Sequence, residues 1–597
     1  MITKSIKQLA CCGLPATKRL LLAWLACCGL PATKRLLFAW LACCGLPATI
    51  ISCSDSDDPE PADTAISTTG ETDYKYVGKE TAAFKAEEWF PGGEQGTTTN
   101  TVAGCYEDET PATQSADLMA AFKRGELLFE HDFTPTSTAS FGGLGPAYVR
   151  SSCIHCHPGY GHGKRVDTYN ADQRGNGYLL VIYHPVDGAN SDDGPYISEV
   201  TGMPQTRAVS PFLPPVDESG IHLAWLPVAE MESGLPMQFP DGERYELIYP
   251  ELSIDIAAFN TDPKPSNLAF RLESTIGIIG SGLLDAIPED SIKAQYQREA
   301  PYVELNPNFW DKESNDWATG AWYTLADGTK RIKRFTYAMT RASLQDGAGA
   351  NAIWNITNVT RSDRPYLYTT TAWAKAMSKN PDVIAAIKRD PSSPYYNDGT
   401  DEGIAEAVAA LLDPKTNQFD NPYHNFQPEM TDNNFWSFMV WHRGLAIPRA
   451  RDLNDRQVQR GKLVFTEIGC ASCHRPQWTT GDDNYWAPAP ILANNLSLPR
   501  YQKQTIYPYT DMIHHRLYMK NGIHGSWCRT TPLWGRGLSL LNTGAEDRLH
   551  DCRARNEIEA IMWHAYSKKS DAYQSTERFF YLSKEDRDAV VKFLKSI

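Results

Sequence analysis

The sequence has fewer positively charged residues than negatively charged ones. Its 597 residues include 57 lysines and arginines against 72 aspartates and glutamates, which gives a formal net charge of −15. A nucleic-acid-binding protein normally presents a basic face, so this balance argues against that class. The chain after its N-terminal segment also lacks a basic run and a glycine-rich phosphate loop. We therefore expect no nucleic-acid partner.

Few cysteines are left over for disulfide bonds. Six of the 14 cysteines fall in N-terminal repeats, one is Cys53, and four belong to the two motifs described below. The remaining three are Cys105, Cys528 and Cys552. In an oxidising compartment, Cys528 and Cys552 are a candidate disulfide that would close a loop of moderate length. Cys105 would then be left without an identifiable partner.

The first fifty residues contain no apolar run of the roughly twenty residues that a membrane-spanning helix needs, because Lys-Arg pairs interrupt each run. A unit at Leu9–Trp24 recurs at Leu25–Trp40, and a truncated third copy begins at Leu41. We interpret residues 1–52 as a duplicated leader or signal peptide. The string IISC that ends at Cys53 resembles the cleavage box of a bacterial lipoprotein. Cys53 is therefore the predicted lipid site, and we expect a membrane-anchored lipoprotein in the periplasm or cell envelope of a bacterium.

Two short motifs organise the rest of the chain. Each has two cysteines three positions apart followed directly by a histidine, the attachment pattern of a c-type haem. The motifs consist of Cys153, Cys156 and His157 and of Cys470, Cys473 and His474. A redox-active cysteine pair and half of a zinc site are the alternatives, but neither explains the histidine after both pairs. The sequence therefore predicts two covalently bound c-type haems, with His157 and His474 as proximal iron ligands.

A helix-forming pattern precedes each motif. Apolar residues recur at helical spacing from Leu118, and the stretch ends in Gly125–Phe129, much as Gly461–Phe465 ends the stretch before the second motif. In both places an aliphatic and aromatic pair leads into a loop and then the motif. We predict a mainly α fold with two cytochrome-c-like haem units, joined by long loops with a few short strands.

The predicted organisation has five parts. The segment after Cys53 is acidic and rich in proline, as a disordered tether would be. The parts are a leader (1–52), an acidic tether and N-terminal extension (53–116), a first haem domain expected to be catalytic (117–330), a connecting region (331–448) and a C-terminal cytochrome c domain (449–597).

Several blocks of sequence, taken together and in order, resemble the di-haem oxidoreductase family, also labelled thiol oxidoreductases and related to bacterial di-haem cytochrome c peroxidases. The resemblance extends from about Ala120 to Ile597. Its blocks lie at 141–163, 270–292, 438–476, 507–515, 529–538 and 549–564. A further block at 347–368 also looks typical of the family, but no role can be assigned to it.

The resemblance implies roles for several residues. His564 lies where the peroxidase relatives carry the distal ligand of their high-potential haem, commonly a methionine, so it is expected to bind the second iron. Asp285 and Glu289 are candidate acid–base residues by analogy with a distal carboxylate, although acidic residues in the first turn of a helix are the alternative. The family's usual glycine is replaced by Cys552, a change that a disulfide to Cys528 would help to accommodate.

The distal side of the first haem has no convincing ligand in the sequence. His162 follows His157 too closely to reach the opposite face easily. The loop-rich segment beyond it offers residues that are equally compatible with packing or surface positions, namely His184, Met203, His222, Met231 and Met237. Five tryptophans are candidates for positions between the haems or for core packing, namely Trp354, Trp436, Trp441, Trp534 and Trp563.

Three functions are compatible with these patterns. In the first, a peroxidase-like di-haem oxidoreductase takes electrons from a small periplasmic donor at the C-terminal haem and passes them to the N-terminal haem, where an oxidant is reduced. The second is a pure electron-transfer cytochrome with both irons six-coordinate. The third is a di-haem oxygenase that acts on an apolar substrate. An iron with an open position is required by the first and third functions and excluded by the second.

Overall fold

The computed structural model describes residues 84–135, 141–187, 193–325, 328–344, 348–484, 491 and 493–597. All of these residues belong to one unit, Ile66–Ile597. The predicted leader (1–52), the predicted lipid site Cys53 and the beginning of the acidic tether lie outside the described residues.

Helices dominate the regular structure of the described residues, in line with the predicted mainly α class. Many begin at a residue whose side chain accepts a hydrogen bond from the first turn, such as Ser115 before α2 and Asp455 before α10. The fourteen α-helices of this part of the chain are α1 (Gly93–Gly96), α2 (Ala116–Glu130), α3 (Ser281–Asp285), α4 (Glu289–Glu299), α5 (Ala348–Thr357), α6 (Thr371–Ser378), α7 (Pro381–Lys388), α8 (Asp401–Leu412), α9 (Asp432–Gly444), α10 (Arg456–Glu467), α11 (Ser539–Thr543), α12 (Glu557–Trp563), α13 (Tyr573–Phe580) and α14 (Lys584–Leu594).

Strands are short and pair only two at a time in the described ranges. Their bounds are β1 (Thr97–Thr98), β2 (Ala147–Tyr148), β3 (Leu179–Tyr183), β4 (Arg207–Ala208), β5 (Ile221–Pro227), β6 (Ile248–Ile254), β7 (Ala269–Glu273), β8 (Trp310–Asp311), β9 (Asp316–Trp317), β10 (Trp322–Thr324), β11 (Lys330–Ile332), β12 (Ile447–Pro448), β13 (Trp478–Thr479), β14 (Thr505–Ile506), β15 (His514–Arg516) and β16 (Trp527–Arg529). The longest ladders are antiparallel, β5 with β6 and β3 with β7. In the β3–β7 ladder Leu179 lies opposite Glu273, so β7 ends at an acidic residue.

Helices α2 and α9 cross in close contact. A Cβ atom on Gly125 would collide with the carbonyl oxygen of Ser437 and with the side chain of Trp441. The two backbones approach closely because glycine has no side chain at the crossing point. The crossing therefore explains why the predicted helix carries glycine four residues before Phe129.

Helices α10 and α14 repeat this crossing. A Cβ atom on Gly461 would collide with the carbonyl oxygen of Ala589 and with the side chain of Phe593. The spacing of four residues from Gly461 to Phe465 is the same as in α2. A helix therefore precedes each predicted haem motif, and a glycine in that helix allows it to pack closely against a later helix.

A glycine turn after each motif extends the correspondence. Gly280 has φ +67° and Gly535 has φ +71°, a left-handed conformation that glycine adopts without steric cost. Two residues later, Gly282 lies against the carbonyl of Arg443 and Gly537 against the carbonyl of Lys595. We call α2, the first motif, the Gly280 turn and α9 the first half, and α10, the second motif, the Gly535 turn and α14 the second half.

The predicted connecting region (331–448) supplies part of the first half, because α9 closes it and α5 packs on α9. The same region contains α6, α7 and α8, which enclose a separate small core around Trp373 and Ile404. Among the described residues, no helix combines the length and the apolar character needed to cross a membrane.

Candidate functional site

The first motif lies on the wall of a cavity of about 380 Å³. Cys153, Cys156 and His157 all line this cavity, and both thiols are buried. The rest of its wall is mainly apolar and includes Phe129 of α2 and Phe438 of α9. The first half of the fold thus surrounds the first motif with an apolar enclosure, here called the first cavity.

His157 is held in a defined orientation. Its Nδ1 atom lies 3.2 Å from the carbonyl oxygen of Gly161, so Nδ1–H donates and the Nε2 atom keeps its lone pair. Burial lowers the pKa of His157 to about 4, which keeps the imidazole neutral. A neutral imidazole fixed through one nitrogen is the form in which histidine binds a metal.

The second motif lines a cavity of about 190 Å³, here called the second cavity. The Nδ1 atom of His474 lies 3.2 Å from the carbonyl oxygen of Tyr509, the same arrangement as at His157. His564 lines this cavity too, and its Nδ1 atom is held by the carbonyl oxygen of Ala560 at 2.7 Å. Burial and the nearby His564 lower the pKa of His474 to about 4. His474 and His564 are therefore two imidazoles with one ring nitrogen engaged and the other available. His515 and His550 also line this cavity, and burial lowers the pKa of His550 to about 4.

The motif cysteines are poorly suited to thiol redox chemistry. Burial raises the pKa of Cys153 and of Cys470 to about 12, and it raises the pKa of Cys473 to about 11. A redox-active cysteine pair instead needs a lowered pKa, because the thiolate is the reactive form. These raised pKa values argue against a redox cysteine pair.

The residues of both cavities fit a haem. Each cavity has two thiols and an oriented imidazole on one wall, and apolar side chains cover most of the remainder. Such donor chemistry matches attachment through two cysteines and ligation by the histidine that follows. In the second cavity His564 adds a second imidazole. Covalent attachment itself remains a prediction from the motifs.

Tyr337 belongs to the walls of both cavities. It is buried, and its ring lies 6.1 Å from the ring of His550, which lines the second cavity. The carbonyl oxygen of Tyr337 accepts a hydrogen bond from Nε2 of His514 at 2.7 Å, and Nδ1 of His514 is bonded to Asn306 at 3.0 Å. A fixed aromatic residue therefore separates the two candidate haem sites, and sequence patterns gave no signal for it.

An acid–base pair lies in the first cavity, formed by Glu273 at the end of β7 and His524. Their side chains are 2.7 Å apart, and both are largely buried. Burial would lower the pKa of His524, but the hydrogen bond and charge of Glu273, together with the charge of Asp193, raise it above its ordinary value. The pair can hold a proton beside the first cavity near neutral pH. Sequence reasoning missed it, although Glu273 belongs to the block at 270–292.

Asp285, predicted as an acid–base residue, has a different environment. It lies at the end of α3, is 2 % exposed, and accepts a hydrogen bond from Arg443 at 2.8 Å. Arg443 also holds Asp483 at 2.8 Å, and all three charged groups are buried. Asp285 does not belong to the wall of the first cavity in the described structure. Asp285 therefore lies in a buried ion-pair network, and a catalytic role for it stays a prediction.

Glu289 is the first residue of α4, as the alternative interpretation of the acidic block anticipated. Its carboxylate accepts hydrogen bonds from Arg331 at 2.7 Å and from the backbone amide of Ile332 at 3.0 Å. It also lies outside the wall of the first cavity. Glu289 connects α4 to β11, and a catalytic role for it likewise stays a prediction.

The predicted Cys528–Cys552 disulfide is absent, since both thiols are free. The Sγ atom of Cys552 contacts the carbonyl oxygen of Gly163 and the hydroxyl of Ser274, each at 3.2 Å. The Sγ atom of Cys528 instead lies 3.7 Å from Nδ1 of His550. Cys552 has φ +61°, which explains why glycine would be favoured at this turn.

Most of the weak candidates for the distal side do not reach the first cavity. Met203 lines it, whereas the others do not belong to its wall, namely His162, His184, His222, Met231 and Met237. Among the five tryptophans, Trp441 alone lines either of the two cavities in the described part of the chain. His442, the next residue of α9, also lines the first cavity.

A group of polar residues lies beside the second cavity. Cys473, Asp511 and His515 place potential ligand atoms within 4.8 Å of one another, the sole such group of three in the described ranges. His515 Nε2 is 2.9 Å from Asp511 and 3.3 Å from Glu299, so its nitrogen is already engaged by carboxylates. If Cys473 carries a haem thioether, two potential ligands remain, and we interpret the group as a buried ion-pair cluster.

Comparison with known proteins supports the resemblance drawn from the sequence blocks. Residues 422–597 match a family model described as "Di-haem oxidoreductase, putative peroxidase". The matched stretch contains α9, the whole second half and His564. A search of curated proteins finds no match.

Proposed function

We propose that this chain, whose residues 422–597 match the di-haem oxidoreductase family model, belongs to that family and is a peroxidase-like enzyme that reduces an oxidant at the first cavity. In this proposal the electrons enter at the second cavity, from a small electron-carrier protein. The Glu273–His524 pair on the wall of the first cavity carries the proposal, because it can hold a proton beside the site where the oxidant would be reduced. On the wall of the second cavity, His564 offers a second imidazole near His474.

The proposed cofactors are two c-type haems. Bound in these cavities, they would supply stored electrons and the metal at which the oxidant is reduced. Cys153, Cys156 and His157 would hold one of them, and Cys470, Cys473, His474 and His564 the other. Ligation by two histidines suits electron entry, because it leaves no position for a substrate.

The reaction needs protons as well as electrons. Reduction of hydrogen peroxide consumes two electrons and two protons and yields two molecules of water. Burial lowers the pKa of His524, but Glu273 and Asp193 raise it above its ordinary value, which favours a protonated ring that can donate a proton into the first cavity. Glu273 orients the ring through Nε2 at 2.7 Å. The pair therefore supports proton delivery at the first cavity.

The position of Tyr337 supports communication between the two cavities. Its side chain is part of both walls, so transfer between the sites has one aromatic residue to cross. His514 fixes the Tyr337 backbone by its hydrogen bond to the carbonyl oxygen. A short and rigid separation is what electron transfer between two sites requires.

The proposed location is the periplasm or cell envelope, with Cys53 as the lipid attachment site. Attachment of c-type haem and the lipoprotein-like string before Cys53 both support export. The expected partner is a small soluble electron carrier of the same compartment. Labelling with a radioactive fatty acid, compared between the wild-type chain and Cys53→Ser, tests the anchor.

The test of the proposed activity uses the full-length holoprotein. The protein is reduced anaerobically, mixed with hydrogen peroxide, and followed by stopped-flow haem absorbance. We expect reoxidation with two electrons consumed per peroxide. Glu273→Gln should slow reoxidation by about 10²-fold or more, the range for loss of general acid–base assistance. The alkaline decline in rate should also move to lower pH, because His524 loses the carboxylate that raises its pKa.

Glu289→Gln is the matched control, since Glu289 also pairs with cations but lies outside the first cavity. It should leave the reoxidation rate unchanged. Failure of peroxide to reoxidise the wild-type protein would reject the peroxidase-like function. Oxygen consumption with an olefinic substrate would then indicate an oxygenase, and two six-coordinate irons inert to both would indicate a pure electron-transfer protein.

A further inference from the structure

The two halves of the fold repeat one more element, a helix that contributes side chains to the cavity wall. In the first half this helix is α5, which packs on α9, and in the second half it is α12, which packs on α14. Near their C-terminal ends the two helices have the same order of residue types: an apolar residue, a tryptophan and a polar residue. Ile353-Trp354-Asn355 in α5 corresponds to Met562-Trp563-His564 at the end of α12.

The side chains that reach the cavities agree with this correspondence. Ala352 and Asn355 line the first cavity, and Ile561 and His564 line the second. Ala352 and Asn355 are three residues apart within α5, and Ile561 and His564, the C-cap residue of α12, have the same spacing, so each pair lies on one face. Asn355 therefore has the place in the first half that His564 has in the second.

Asn355 has an unsatisfied polar atom. Its side chain is 6 % exposed, and its Oδ1 atom has no hydrogen-bond partner among the described residues. A buried polar group without a partner is destabilising, so such groups in native proteins usually bind a ligand or water. The side chain lies on the wall of the first cavity, where a small ligand would meet it.

We propose that Asn355 keeps the first haem site open and hydrogen-bonds the small oxidant that enters the first cavity. A carboxamide is a weak ligand for haem iron compared with an imidazole, but it offers both a donor and an acceptor. At the corresponding position of the second site, the imidazole of His564 would bind the iron and leave no position for a substrate. This inference rests on the proposed function and assigns the difference between the two sites to one helix position.

Two histidines also line the first cavity. Both ring nitrogens of His524 face acidic or hydroxyl partners, namely Glu273, Asp193 and Tyr196. His442 of α9 is the competing ligand, because it is buried and its Nδ1 atom has no hydrogen-bond partner among the described residues. Its counterpart in the second half is Leu594, since Arg443 corresponds to Lys595, so the His442→Leu variant below decides between His442 and an open site.

The experiment exchanges the two residues in the full-length holoprotein. Ferric electron paramagnetic resonance should show one high-spin and one low-spin haem in the wild-type protein. Asn355→His should convert the high-spin signal to low-spin and abolish cyanide binding. His564→Asn should do the reverse at the second site, giving a new high-spin signal and a second cyanide-binding site.

Asn355→Leu is a matched variant of similar size that removes the hydrogen bond without supplying a ligand. It should keep the high-spin signal and weaken cyanide binding by about three- to tenfold, the loss of one hydrogen bond. If Asn355→His fails to fold with both haems, the Leu variant and His564→Asn decide the question. Unchanged cyanide affinity in Asn355→Leu would overturn the role of Asn355.

Two further results would overturn the inference. One is an Asn355→His protein, loaded with both haems, whose spin states and cyanide binding equal those of the wild type. The other is a low-spin first site that becomes high-spin in His442→Leu, which would make His442 the ligand. Neither readout uses peroxide, so a protein that fails to reduce peroxide rejects the proposed function without deciding the role of Asn355.

Discussion

Replacement of Asp285 by alanine should destabilise the fold without removing a catalytic group. Asp285 and Asp483 share the guanidinium of Arg443, with contacts of 2.8 Å to each carboxylate. The side chains are 2 %, 0 % and 0 % exposed for Asp285, Asp483 and Arg443. Loss of one partner therefore leaves a buried cation with incomplete compensation.

The expected loss in the free energy of unfolding depends on the partners that Arg443 retains. Breaking a buried ion pair from one side costs about 3–5 kcal/mol. In Asp285→Ala the guanidinium still has Asp483 and the carbonyl oxygen of Pro499, which lies 3.1 Å from Nε. We therefore expect the lower end, about 3 kcal/mol, which lowers the ratio of folded to unfolded protein by roughly a hundredfold.

Glu289→Ala provides the comparison, because Glu289 is 26 % exposed and pairs with Arg331, which is 20 % exposed. Solvent screens this pair, but the carboxylate also accepts from the amide of Ile332 and lies 3.7 Å from the buried Arg334, so a loss of about 1–2 kcal/mol is expected, smaller than for Asp285. The assay is urea unfolding followed by far-ultraviolet circular dichroism, with peroxide turnover measured per haem in the folded protein. Turnover per folded haem should be unchanged in both variants.

The opposite pattern would refute this account. If Asp285→Ala unfolds within about 1 kcal/mol of the wild type but loses turnover by 10²-fold or more, Asp285 acts in catalysis, the range being that of a general acid–base group. A conservative Asp285→Asn variant separates charge from volume. It should unfold between the wild type and the alanine variant, because the amide oxygen still accepts from Arg443.

Two further outcomes are expected. Tyr337→Leu should slow electron transfer between the two haems, whereas Tyr337→Phe should retain the wild-type rate. The rate is measured by the re-equilibration of haem absorbance after flash reduction. Equal rates in all three proteins would show that the electron path does not include Tyr337. Burial lowers the pKa of His514 to about 3, so its neutral form stabilises the fold fully above pH 6.5 and less as the pH falls toward 3. Between pH 7 and pH 5 the free energy of unfolding should fall by about 2 kcal/mol more in the wild type than in His514→Gln, and equal slopes would contradict the buried neutral state.

The local patterns of the sequence predict much of the second half. The cysteine and histidine spacing identifies both motifs, and the glycine and phenylalanine spacing anticipates the helix before each one. His564 was assigned through family resemblance, and the structure places it on the wall that also carries His474. Its role as an iron ligand stays a prediction.

Long-range contacts explain what sequence reasoning missed. Asp285 and Glu289 look like a catalytic pair in the linear chain, but their partners Arg443 and Arg331 lie 158 and 42 positions away. Glu273 and His524 meet across 251 positions. No local periodicity reports such pairings, since they depend on how distant loops close over the cavity.

The two helix crossings also differ in when they can form during synthesis. Roughly 300 residues separate α2 from α9, whereas roughly 120 separate α10 from α14, a difference that costs under about 1 kcal/mol in loop closure at equilibrium. The kinetic difference is larger, because chain growth at about 5–20 residues per second delays α9 by many seconds after α2. Roughly 290 residues must be added after Cys156 before α9 is complete, so the first motif stays without its closing helix for about half of the elongation of the 597-residue chain.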